Sequence, residues 1–122
     1  EDAYVAARLL LAGWAVRYAA DAQVHHSHDY PLLAEFRRYF DIGVFYGREA
    51  WIGQAFGRAG GEGRRFVQAE VAALRQAGAW SRLPEVLLRN ALKLLGYRLG
   101  HLERHLPRRL KRRISLYPGY WA

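Results

Sequence analysis

The chain has 122 residues, room for one ordinary domain, and 52% of them are hydrophobic, including four Trp, eight Tyr and five Phe. That apolar content excludes a disordered tail, and the lack of cysteine excludes a disulfide scaffold or a thiolate metal site. The net charge of +8 is unevenly placed: residues 1–84 carry ten Lys/Arg against nine Asp/Glu, whereas residues 85–122 carry nine against two. The positive field therefore belongs to the C-terminal third.

The sequence begins Glu1-Asp2, where a secretory leader would be basic, and it contains no Met. It reads as a piece of a longer protein. No apolar run approaches the roughly 20 residues needed to cross a bilayer, because Arg8 interrupts the longest candidate and Arg17 closes it.

Residues 1–12 read as a helix, with Asp2 near its start, where the macrodipole favours a carboxylate, and Gly13 as its stop. Trp14 to Tyr18 alternates like a short strand, and after a turn at Asp21 the run Gln23-Val24-His25-His26 reads as a second. Continued as a strand, it would put His26 and His28 on one face. Pro31 suits the opening of a helix on which Leu32, Leu33, Phe36, Tyr39, Phe40 and Val44 recur at helical intervals. Gly43, Gly47 and Gly53 would weaken or bend it, or admit a neighbouring backbone. Four glycines between Gly57 and Gly63 mark a loop, and Arg64 to Ala77 is helical again, ended by Gly78.

A further helix starts beyond Ser81, with Pro84 in its first turn, and runs towards His105 before Pro107 breaks it. Its leucines, from Leu87 to Leu102, read as core. Arg108 to Leu116 is basic and amphipathic, followed by Tyr117, Tyr120 and Trp121. The fold class is mostly α with a short β pair. Two short strands do not form a stable sheet by themselves, so the pair reads as the edge of a larger α/β sheet whose other strands lie elsewhere.

Three groups of residues carry possible chemistry. Glu1 and Asp2 could supply a general base, although acids also open helices for electrostatic reasons alone. His26 and His28 could bind a metal. The neighbourhood is too poor in ligands for zinc and better suited to a hard cation such as Mg2+ or Mn2+ completed by carboxylates and a diphosphate. Arg104, Arg108, Arg109, Lys111, Arg112 and Arg113, interleaved with leucines, could lie on an anionic membrane, bind nucleic acid, or simply face solvent.

The segment Glu1-Asp2-Ala3-Tyr4 with Arg8, Gly13-Trp14 and Val24-His25-His26 resembles the end of the catalytic domain of family-2 glycosyltransferases. The continuation His26-Ser27-His28-Asp29-Tyr30, then Arg37-Arg38-Tyr39-Phe40-Asp41-Ile42-Gly43, resembles the rhamnosyltransferase-like branch, as does Lys93 to Gly100 and the ending Tyr120-Trp121. The resemblance implies the α/β fold called GT-A. Residues 1–30 would be the end of that catalytic domain and residues 31–122 a helical C-terminal region with a basic tail.

It further implies that Asp2 is the base of an inverting sugar transfer, with Glu1 beside it, and that His26 is a ligand to a divalent metal on the donor diphosphate, with His28 a second candidate. The donor would be a nucleotide sugar such as dTDP-rhamnose and the acceptor a polyprenyl-linked glycan, at the cytoplasmic face of the bacterial membrane. The cationic residues from Arg104 to Arg113 would then meet the membrane or the acceptor diphosphate, and no nucleic acid is expected. The Asp-x-Asp motif of the family is absent, so these residues alone are expected to be inactive. The alternatives are a non-enzymatic basic helical module on membrane or nucleic acid, or a transferase of the same fold moving another sugar.

Overall fold

The computed structural model describes residues 2–25, 30–57 and 61–122. Among them lie six α-helices: α1 Asp2–Leu11, α2 Leu32–Arg48, α3 Ala50–Phe56, α4 Glu62–Gln76, α5 Leu83–His101 and α6 Arg108–Ile114. Short 3-10 turns at Trp80–Arg82, Glu103–His105 and Pro118–Trp121 link or follow the later ones.

Glycine and proline set most of the boundaries. Gly13, at φ 86°, ends α1: its N–H and that of Trp14 donate back to the Leu10 and Leu9 carbonyls at 3.1 and 3.0 Å. Gly78, at φ 66°, ends α4 with the same pair of reversed bonds. Pro31 stands just outside α2 in extended conformation, and Pro84 is the second residue of α5. The glycines within α2 do not break it; the break comes at Glu49, where φ −96° and ψ 45° turn the chain into α3.

The architecture rests on α2 against α5. Phe36 and Phe40 meet Gly96, Gly43 meets Tyr97 and Gly100, and Gly47 meets His101, so the two helices run parallel. Gly43 and Gly47 are four residues apart, as are Gly96 and Gly100, which puts each pair on one helix face. A methyl group at Gly96 would sit 2.5 Å from the Phe36 carbonyl oxygen, and one at Gly100 would sit 2.6 Å from the Val44 nitrogen. At Gly43 it would lie 2.9 Å from the Tyr97 carbonyl carbon. Backbone touches backbone, and any side chain would hold the helices apart.

One edge of this contact is sealed by the C-terminal segment. Phe40, Val44 and Trp121 form the buried cluster, with Leu99, Leu106 and Ile114 packed around it. Phe40 and Trp121 approach at 6.3 Å between ring centroids. Asp41 fastens the segment by accepting the Leu116 N–H at 2.8 Å, and the buried Ser115 hydroxyl accepts the Tyr117 N–H at 3.0 Å. Burial pushes the Asp41 carboxyl above its ordinary value, against the hydrogen bonds from Ser115, Leu116 and Tyr117 that pull it down.

Three expectations need correction. The strand expected at Trp14–Tyr18 is absent, and Gln23 to His25 is also non-strand among the described residues. Every residue from Leu9 to His25 is exposed, and no described segment offers a ladder for alternation to pair with. The leucines of α5 are not plain core: Leu87, Leu88, Leu94 and Leu95, like Leu102 just past its end, are each about half exposed, because the buried face of α5 is made by glycine. Finally α5 stops at His101, giving way to the 3-10 turn before Pro107.

The glycine contact yields a paired stability test. Gly100→Ala should destabilise the fold by about 1–3 kcal/mol through overpacking. Gly63→Ala, in α4 with nothing within 4 Å of the added methyl, should stabilise it by about 0.5–1 kcal/mol. Urea denaturation of both variants checks the opposite signs.

Candidate functional site

Asp2 is exposed in the first turn of α1. That helix is anchored by buried Ala7 and by Tyr4, whose ring meets Trp51 of α3 edge-on at 5.8 Å between centroids. Trp51 in turn donates to Glu49 at 2.7 Å, at the joint between α2 and α3. Glu1, His26 and His28 lie outside the described residues. Among the described residues no three His, Cys, Asp or Glu side chains gather to hold a metal ion, so they do not by themselves fit the expected divalent cation.

The cationic residues fall into two kinds. Lys111 donates to Glu103 at 2.8 Å and lies 4.6 Å from the centre of the Trp121 ring. Arg108 donates to the Trp121 carbonyl at 2.7 Å and to the Ala122 carbonyl. These two close the C-terminal segment. Arg104, Arg109, Arg112 and Arg113 are exposed and form no ion pair among the described residues. Arg109, Arg112 and Arg113, with Pro107 and Leu110, line a shallow groove on α6. No helix among the described residues is long and apolar enough to cross a membrane.

Glu103 is the hub that sequence reasoning passed over. It is buried and receives Arg48 through Nε at 3.0 Å and Nη2 at 2.9 Å, in addition to Lys111. Arg48 also donates to the Tyr120 hydroxyl at 2.6 Å, with its guanidinium 5.4 Å from the Trp121 ring centre. Burial alone would push the Glu103 carboxyl up; the hydrogen bonds and charges of Lys111 and Arg48 outweigh it and hold the group below its ordinary value. A signal was present: Glu103 is one of only two acids in the last 38 residues, and an isolated acid among cations invites pairing.

A second polar cluster lies towards the other end of the α2–α5 pair. Glu35 accepts from Arg89 at 3.0 Å and pairs with Lys93 at 3.4 Å. Arg89 also reaches Glu85 at 3.0 Å and the Tyr30 carbonyl at 3.3 Å. Hydrogen bonds to Glu85 and Glu35 hold the Arg89 guanidinium above its ordinary value. Tyr30, Glu35, Arg38, Tyr39, Ile42 and Lys93 line a cleft here.

The chain is 46% identical over 122 residues to the O-antigen chain rhamnosyltransferase WbaN of Salmonella anatum, and equally to the O-antigen chain rhamnosyltransferase RfbN of Salmonella typhimurium. The match takes in 99% of this chain and 38% of each relative, so the chain spans well under half the length of those rhamnosyltransferases. No family model and no solved structure matches it.

Glu103→Gln should cost about 3 kcal/mol, the low end for breaking a buried pair, because Arg48 remains partly solvated. Since folding lowers the Glu103 pKa, the ion pairs contribute fully above the ordinary carboxylate value of 4.5. That contribution is lost as pH falls through the depressed folded value. Stability measured against pH should therefore lose part of its acid limb in Glu103→Gln.

Proposed function

We propose that this chain is the acceptor-side, C-terminal part of an inverting glycosyltransferase of GT-A type that moves rhamnose from a nucleoside-diphosphate donor onto a lipid-linked glycan. The observation that carries the reading is the 46% identity, over 99% of the chain, to two O-antigen chain rhamnosyltransferases. The donor is proposed as dTDP-rhamnose and the acceptor as a polyprenyl-diphosphate glycan.

Within this reading Asp2 is the general base, taking the proton from the acceptor hydroxyl as its oxygen attacks the anomeric carbon. Its exposed place at the start of α1 leaves the carboxylate open to a substrate hydroxyl. Glu1 stands beside it in sequence. Mg2+ or Mn2+ enters the proposal through His26, and with less force His28, completed by carboxylates beyond the described residues; no step is derived from it. The 122 residues are proposed to be inactive alone.

The test is rhamnosyl transfer by the full-length protein to a lipid-diphosphate glycan, followed by product chromatography. Asp2→Asn should lower kcat by about 10^2- to 10^4-fold, the usual contribution of a positioned base. Wild-type turnover in that variant would remove Asp2 from the mechanism.

The exposed cations Arg104, Arg109, Arg112 and Arg113, beside half-buried or exposed Leu110, Tyr117 and Tyr120, favour a peripheral place at the inner face of an anionic membrane. Each cation near such a surface contributes about 1 kcal/mol. The triple substitution Arg109→Glu, Arg112→Glu, Arg113→Glu should abolish co-sedimentation with phosphatidylserine or phosphatidylglycerol vesicles and leave thermal stability unchanged. Binding that ignores anionic lipid content would count against the membrane assignment.

A further inference from the structure

The cleft between α2 and α5, lined by Tyr30, Glu35, Arg38, Tyr39, Ile42 and Lys93, has a volume of about 250 Å3. We propose that it is a subsite for a neutral sugar ring of the acceptor glycan, which rests on the glycosyltransferase reading above and extends it to residues with no assigned role.

Its chemistry favours hydroxyl groups over an anion. A phosphate needs donors only, whereas each sugar hydroxyl both donates and accepts. The cleft offers both kinds in one place: Arg38 and Lys93 donate, and Glu35 accepts. The Glu35 carboxylate has about four acceptor positions, of which the Arg89 and Lys93 contacts use two. Likewise Lys93 spends one of its three donors on Glu35, at 3.4 Å. The Glu35 and Lys93 side chains keep 17% and 19% of their exposure, so they are held in place yet still reachable from solvent.

Two tyrosines complete the walls. Arg38 sits 5.3 Å from the Tyr30 ring centre, and Lys93 sits 5.7 Å from that of Tyr39. Aromatic rings beside donors and an acceptor make a surface that is apolar along one side and hydrogen-bonding along the other, as the two sides of a pyranose ring are. Every wall residue but Tyr30 stands on α2 or α5, and those helices are locked together at Gly43, Gly96 and Gly100. The chain enters the cleft at Tyr30, directly after the histidine cluster in sequence.

The experiment is saturation-transfer NMR on the protein with methyl glycosides of rhamnose, galactose and mannose, each challenged with inorganic pyrophosphate. At least one glycoside should receive saturation, pyrophosphate should not displace it, and Arg38→Ala should weaken binding about tenfold, as expected for a lost charged hydrogen bond. Arg38 is exposed, so that variant should keep its circular dichroism and melting temperature. Ile42→Trp, which fills the cleft from its wall, should abolish the signal independently. No transfer to any glycoside, displacement by pyrophosphate, or wild-type binding in both variants would overturn the subsite. Binding and turnover are read separately: a full-length protein that binds glycosides in the cleft and moves no sugar refutes the enzymatic reading and leaves the subsite standing.

Discussion

The backbone contact between α2 and α5 governs the rest of the molecule. Glycine in a helix interior costs about 1 kcal/mol relative to alanine, and four lie along this seam. That cost is offset only by what close approach allows: Phe40 wholly buried, Trp121 closing over it, and side chains on both flanks brought within ion-pair reach. Glu35 meets Lys93 towards one end, and Arg48 meets Glu103 towards the other. Widening the seam would strain both pairs together, since the same two helices carry Glu35, Lys93 and Arg48.

Charge is divided along the same lines. Of the nine cations in residues 85–122, Arg89, Lys93 and Lys111 answer acids, and Arg108 answers backbone carbonyls. Arg98, Arg104, Arg109, Arg112 and Arg113 are exposed and form no ion pair among the described residues. The first group is bound up with folding, because each of them answers a partly buried acid or a backbone carbonyl. The second group contributes little to stability and is free to set the long-range field. The basic segment that looks uniform in sequence therefore has an inward half and an outward half.

Helices were legible because their ends are written in local chemistry. Gly13 and Gly78 adopt left-handed conformations, and Pro31, Pro84 and Pro107 stand at or beside helix starts. The strands expected at Trp14–Tyr18 and Gln23–His26 do not form among the described residues, because alternation describes a face, and a face becomes a strand only where another backbone pairs with it. The α5 leucines misled for a related reason: hydrophobic periodicity assigns burial to large side chains, whereas here Gly96 and Gly100 make the contact and the leucines flank it. Of the site, Asp2 and the cationic tail were recognisable by residue type. The Glu35–Lys93–Arg89 cluster was not, since Glu35 is more than 50 residues from the two cations and only helix packing unites them.

The part of the chain expected to do chemistry is held quite differently from the part expected to bind. The cleft residues stand on two helices that touch backbone to backbone. Asp2 stands on α1, which is linked through Tyr4 and Trp51 to α3, and α3 meets α2 at the Glu49 joint. Beyond Asp2, Leu9, Leu10, Leu11, Trp14 and Val16 are all substantially exposed, a contiguous apolar stretch that water disfavours. A general base acts only when held within hydrogen-bond reach of its proton, so the proposed role of Asp2 requires α1 to be held firmly, and the Tyr4–Trp51 contact is what holds it here. The proposed acceptor subsite, by contrast, lies almost wholly on the α2–α5 pair. In an enzyme built this way, changes on the seam should register in how tightly acceptor is held, and changes around α1 in how fast it reacts.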